Sequence, residues 1–198
     1  MRIRCIALAL VVAATASASG PIRFHGQMIT GANGDFQITP MGKNDAVVYV
    51  DMKRHFSVVL PYSEEWVFDR DSPDRVTAHA GMLNLSVEMF PNTSASDRAY
   101  LEAVASSLLA SKDVNGTVTA KIQDAAGQPV VAVLADAEIV TKDPRFRGIK
   151  HYSFFATRVM GGIRFKYHLS VVDQEAKITE SANSLLRYVV RGFMVGTN

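Results

Sequence analysis

The chain reads as a single α+β domain: an antiparallel β-sheet with two main α-helices packed on one face. Three observations predict it. Residues 150–172 alternate with period two on either side of Gly161-Gly162, a glycine pair suited to the tight primed turn of a β-hairpin. Short apolar or alternating runs bounded by proline and glycine recur between residues 46 and 140, the pattern of successive hairpins. The period changes to that of a helix twice, once among the strands and once at the end of the chain. The order is therefore strands, a helix, four more strands and a second helix, with connections of hairpin length.

Residues 1–18 stand apart from this pattern. Arg2 and Arg4 precede an apolar run from Cys5 to Ala14, and Ala16-Ser17-Ala18 supplies small residues at the cleavage positions of a Sec-type signal peptide. The run is too short to span a bilayer, so the segment is expected to be removed on export, leaving a periplasmic or secreted protein. Cleavage after Ala18 takes two of the 21 basic residues and leaves 19 against 19 acidic ones. A neutral mature chain has no general electrostatic attraction to nucleic acid or anionic membrane. Cleavage also takes Cys5, the single cysteine, so the mature chain has no disulfide, no thiolate metal site and no cysteine nucleophile. Cys5 lies near the start of the apolar run, the wrong place for the acylated cysteine of a lipoprotein. No later run approaches the roughly 20 apolar residues of a membrane helix.

Residues 19–44 are rich in glycine and polar side chains, with brief apolar interruptions at Phe36 and Ile38, and are expected to be a flexible lead-in or a short edge strand. The domain proper is expected over 45–198. It begins with a strand from Ala46, a turn near residues 52–55 and a second strand that Pro61 ends, because proline cannot donate to a ladder. Trp66 follows, expected as a core plug with its N–H satisfied, with ligand stacking as the alternative. Strands are expected at 75–80 and 82–90; in the second, Leu83, Leu85, Val87 and Met89 alternate with Asn84, Ser86 and Glu88. Tyr100, Leu101, Val104, Leu108 and Leu109 then recur at helical spacing, with Ser94 or Ser96 as N-cap, Asp97 in the first turn and Asn115-Gly116 closing the element. Val118, Ala120 and Ile122 lead through a loop at Ala126-Gly127 into the dense apolar run from Val130 to Leu134, a central strand. In the hairpin that follows, Tyr152, Phe154, Ala156, Met160, Ile163, Phe165, Tyr167, Leu169 and Val171 are expected to face the core, with Arg158 the single intruder. His151, Ser153, Phe155, Thr157, Arg164, Lys166, His168 and Ser170 share a face that reads as mostly wet. The last helix carries Ile178, Ala182, Leu185, Leu186, Val189 and Phe193 on one stripe.

The phrase FSVVLPYSEEW from Phe56 to Trp66, a middle helix, a Gly-Gln-Pro turn into a buried strand, an aromatic hairpin and a C-terminal amphipathic helix together resemble the PsbP/DcrB-like superfamily over roughly residues 45–195. Members of that superfamily are accessory and binding proteins, so the resemblance implies a non-enzymatic scaffold that presents a surface to a protein or another cell-envelope partner, without a cofactor.

The residues bring no catalytic motif: there is no G-x-S-x-G elbow, no glycine-rich phosphate loop and no H-E-x-x-H. Of the five histidines, His151 and His168 fall on one face of the hairpin but about 13 Å apart at ~3.3 Å per residue, too far to share an ion. The candidate partner surface is the basic stretch with Arg145, Arg147 and Lys150, joined by Arg164 and Lys166 of the adjoining hairpin, with a protein segment, a lipid headgroup or an envelope polymer as occupant; the other reading of the same residues is a solvated loop partly neutralised by Asp143 and Asp173. The alternative is a hydrolase or ligand-processing enzyme with a site assembled from scattered residues such as His79, Glu88 and Asp143.

Overall fold

A computed structural model describes residues 14–16, 20–43, 45–93, 96–110, 114–125, 128–139, 150–173 and 194–195, with side chains described at 20–43, 45–93, 96–110, 120–122 and 153–171. Two sheets and a helix make up these residues. The smaller sheet runs β1 (Ala14–Ala16), β3 (Ile29–Gly31), β4 (Phe36–Met41), β5 (Ala46–Asp51), β6 (Phe56–Pro61) and β14 (Met194–Val195). The larger runs β10 (Val114–Ala125), β11 (Gln128–Ile139), β12 (Lys150–Met160), β13 (Ile163–Asp173), β9 (Leu83–Pro91), β8 (Arg75–Ala80), β7 (Val67–Asp69) and β2 (Ile22–Arg23). All these pairings are antiparallel except that of β1 with β3, and helix α1 (Asp97–Leu109) lies over β10, β11 and β12.

Alternation explains the packing. Phe56, Val58 and Leu60 of β6, Val76, Ala78 and Ala80 of β8, and Phe165, Tyr167, Leu169 and Val171 of β13 are all buried, and they point into a core shared by both sheets. Aromatic rings join the layers: Phe56 lies 6.1 Å from Phe165 and 6.4 Å from Tyr167, and Tyr49 stacks 5.1 Å from Phe68. Trp66 is fully buried, and its Nε1–H donates to the carbonyl of Pro61 at 2.9 Å.

The β12–β13 hairpin has the expected register, with Met160 opposite Ile163 across Gly161-Gly162. Their φ angles of 55° and 77° are those of a type I′ turn. Helix α1 is capped by Ser96, whose hydroxyl accepts from the Ala99 N–H at 3.1 Å.

Three expectations are corrected. Residues 20–43, expected as a flexible lead-in or a short edge strand, supply the short edge strand β2 and beyond it β3 and β4, with Phe24, Ile29, Phe36 and Ile38 buried. Their glycines lie in turns or at close approaches; a Cβ on Gly31 would collide with Asp35 and Phe36. The single sheet becomes two, because β3 and β4 join β5 and β6 in a second layer over the first, while β2 extends the larger sheet. The helix stops at Leu109, and Asn115-Gly116 falls inside β10, where pairing with Ala137 and Glu138 outweighs the turn preference of the dipeptide. The stripe from Ile178 to Phe193, expected as a second main helix, lies outside the described residues; among those described there is one helix.

One end of the sandwich is locked by buried charge. Asp51 is fully buried at the end of β5, accepting from Tyr49 Oη at 2.7 Å, Arg54 N at 2.9 Å, Arg54 Nη1 at 2.8 Å and Arg70 Nη2 at 3.2 Å. Arg70 reaches on to Asp35 at 2.9 Å and lies 4.3 Å over the Phe36 ring. Arg54 also donates to the carbonyls of Ser72, Arg70 and Pro73, which pins the β7–β8 loop. Burial by itself raises the carboxyl pKa of Asp51, but the Tyr49 and Arg54 hydrogen bonds and the Arg70 charge outweigh it and hold it below the ordinary carboxylate value.

Two outcomes are expected. Asp51→Ala leaves two guanidinium groups without their shared carboxylate and lowers unfolding free energy by about 3 kcal/mol in urea titration; a loss under ~1 kcal/mol contradicts the lock. Because the carboxyl pKa is depressed on folding, its stabilisation is complete above the unfolded value and fades as pH falls through the folded one, so the melting difference between wild type and D51A shrinks in acid. At the hairpin, Gly162→Val forces a β-branched residue into positive φ and costs roughly 1–2 kcal/mol, while Gly161→Asn is tolerated, as paired thermal melts will show.

Candidate functional site

The outer face of the larger sheet is where strand alternation places polar side chains in rows. Across β8, β9 and β13, Arg75 stands opposite Glu88 and Glu88 opposite Lys166; Thr77, Ser86 and His168 form the next row, and His79, Asn84 and Ser170 the one after. Arg75, His79 and Asn84 are exposed, while Thr77, Ser86, Glu88, Lys166 and His168 are half-buried. The inner face of the same strands is the apolar core, so this polar surface follows directly from period-two patterning.

Helix α1 covers part of this face and changes its character. Leu101 is fully buried against Phe155, with Tyr100, Val104, Ala105, Leu108, Ala120 and Ile122 packed around them. The face expected to be mostly wet is thus partly interior: Ser153, Phe155, Thr157, Arg164 and Ser170 are all buried. No local pattern announces this, because a strand's neighbours along the chain do not reveal what lies above it.

Arg164 is the clearest case. It was expected on an exposed basic rim, but it is only 1 % exposed. Its Nη1 donates to Asp97 at 2.8 Å and to Thr157 Oγ1 at 3.1 Å, its Nη2 donates to Asn92 at 3.0 Å, and the guanidinium lies 4.6 Å over the Tyr100 ring. Thr157 passes the chain of bonds on to the Phe165 carbonyl at 2.8 Å. The arginine therefore ties the first turn of α1 to β9 and β12 and serves the fold. Asp97, read from sequence as a favourable helix-start charge, also carries this second role.

Lys166 remains at the surface, paired with Glu88 at 3.3 Å and 5.9 Å from the Phe155 ring centre. Lys150 begins β12, opposite Asp173 and Asp136, and nothing is described of its side chain. Arg145, Arg147 and Asp143 lie outside the described residues. His79 and Glu88 do not converge: His79 pairs with Asn84 and Glu88 with Arg75, four residues along β8, or about 13 Å.

The structure adds one arrangement that sequence spacing missed. Ser153 Oγ lies 2.9 Å from His168 Nε2, and the imidazole stacks on Phe155 at 4.2 Å. The pair sits on adjacent strands β12 and β13, so no motif along the chain marks it. Ser153 is 4 % exposed, which makes its hydroxyl a partner that orients the ring, not a nucleophile offered to a substrate. Among the described residues no group of three His, Cys, Asp or Glu side chains is placed to hold a metal ion. What the surface offers is hydrogen bonding and paired charge for a polar partner.

Arg164→Met is expected to lower unfolding free energy by about 2 kcal/mol, through the loss of charge-assisted hydrogen bonds and the anchoring of α1, whereas Lys166→Ala costs under ~1 kcal/mol. Equal losses in parallel denaturant titrations would contradict the division between latch and surface.

No family model and no curated protein matches the chain. Among solved structures it is similar to the solution structure of cyanobacterial PsbP (CyanoP) from Synechocystis sp. PCC 6803, with 16 % identity, a TM-score of 0.50, and coverage of 79 % of this chain and 95 % of that one. At this identity the likeness speaks for the fold, and the fold of this chain is PsbP-like.

Proposed function

We propose that the protein is an exported, non-enzymatic binding or accessory protein of the cell envelope, which presents the outer face of its larger sheet and a basic rim to a protein, lipid or polymer partner. The observation that carries the reading is the row of exposed or half-exposed polar residues across β8, β9 and β13, from Arg75 and Glu88 to Lys166 and from His79 to Asn84. Such a surface suits recognition by hydrogen bonds and charge. The PsbP-like fold supports the same class, since the superfamily the sequence resembles consists of accessory and binding proteins. The N-terminal pattern of arginines, short apolar run and Ala16-Ser17-Ala18 supports export. In this reading the rim comprises Arg145, Arg147 and Lys150 together with Lys166, and Arg164 acts behind it as a support.

Cell fractionation followed by mass spectrometry of the recovered chain tests export: the expected product begins at Ser19 outside the cytoplasm, and a cytoplasmic product that retains Met1 overturns it. Replacing Arg145, Arg147 and Lys166 with alanine is expected to abolish crosslinking to an acidic envelope component with no change in melting. Undiminished crosslinking removes the rim from the binding surface.

A further inference from the structure

The geometry points to the outer edge of β10 as a self-association site, where a second copy of this chain adds its own β10 antiparallel and continues the larger sheet across both molecules. Among the described residues no strand pairs with that edge. β10 runs 12 residues and pairs with β11 without a bulge from Val114 opposite Ile139 to Ala125 opposite Gln128. Its sequence, VNGTVTAKIQDA, has no proline and just two charges, Lys121 and Asp124. Edge strands are ordinarily kept from pairing by shortness, proline, bulges or several charges. The opposite edge of the same sheet, β2, shows the first device, with 2 residues.

A second copy fits this edge by charge and register. An antiparallel self-pair centred on Thr119 sets Val118 opposite Ala120, Thr117 opposite Lys121, Gly116 opposite Ile122 and Val114 opposite Asp124, so no like charges face each other. The strand is neutral as a whole, which makes it compatible with itself. A two-fold axis perpendicular to the sheet also puts both α1 helices on the same side of the joined sheet. Helix α1 packs on β10, β11 and β12 with the half-buried Val104 and Leu108 against the cluster around Leu101 and Phe155, and the 53 % exposed Leu109 stands at its end. Backbone hydrogen bonds along the edge supply the attraction and the Thr117–Lys121 register supplies the specificity.

The test is sedimentation equilibrium on the purified full chain, wild type and two variants. Wild type is expected to dimerise reversibly. Thr117→Lys sets lysine opposite Lys121 at two symmetric places and is expected to raise the dimer dissociation constant roughly tenfold. Adding Lys121→Glu to that variant restores opposite charges and is expected to restore the dimer. A wild type that stays monomeric at every concentration reached overturns the proposal, as does a dimer indifferent to both variants. Should Thr117→Lys melt early, hydrogen exchange on wild type replaces it: amides of β10 must exchange more slowly as concentration rises, and concentration-independent exchange overturns the proposal.

Discussion

Phe56 meets Phe165 and Tyr167 where the two sheets come together, and the rest of the molecule depends on that contact. Each ring comes from a strand whose other face is polar or half-exposed, so neither sheet can bury its apolar side alone. Burying a phenylalanine contributes roughly 1.5–3 kcal/mol, and paired rings add about 0.5–1.5 kcal/mol. The closely packed interior from Phe24 to Val171 is the sum of such contacts across the sandwich. Without the smaller sheet, the inner face of β8, β9, β12 and β13 would be an exposed apolar surface.

Charge is buried on both sides of the larger sheet near the same end. Asp51 closes the turn that leads into Phe56, and Arg164 neighbours Phe165 on the opposite face of β13. The first network binds the loops between strands to one another; the second binds the helix to the sheet. Both give their buried charged group several hydrogen-bonding partners, which offsets much of the cost of taking the charge out of water. The consequence is an end of the domain held by directional bonds, which fix loop and helix positions more narrowly than apolar packing does.

On the polar outer face, neighbouring side chains hold one another in place. Glu88 and Lys166 are opposed by strand register, and His168 is held by Ser153 on one side and by Phe155 beneath it. Side chains fixed in this way lose little conformational entropy on meeting a partner. Strand register also separates residues such as His79 and Glu88 that would have to move together to do chemistry.

Spacing and local chemistry along the chain were enough, by themselves, to place the β12–β13 turn at Gly161-Gly162, to sort Phe154, Phe165, Tyr167 and Leu169 inward, to narrow the helix cap to Ser94 or Ser96 and to read Trp66 as a core plug. These depend on spacing of two or 3.6 residues and on local turn and cap chemistry, all of which are contained in neighbouring residues. Tertiary structure alone decided that β3 and β4 join a second layer, that Asn115-Gly116 extends a strand, that α1 buries Arg164, and that Ser153 meets His168. Each of those depends on what packs against a face from a distant part of the chain, and a residue's immediate neighbours carry no information about the layer above it.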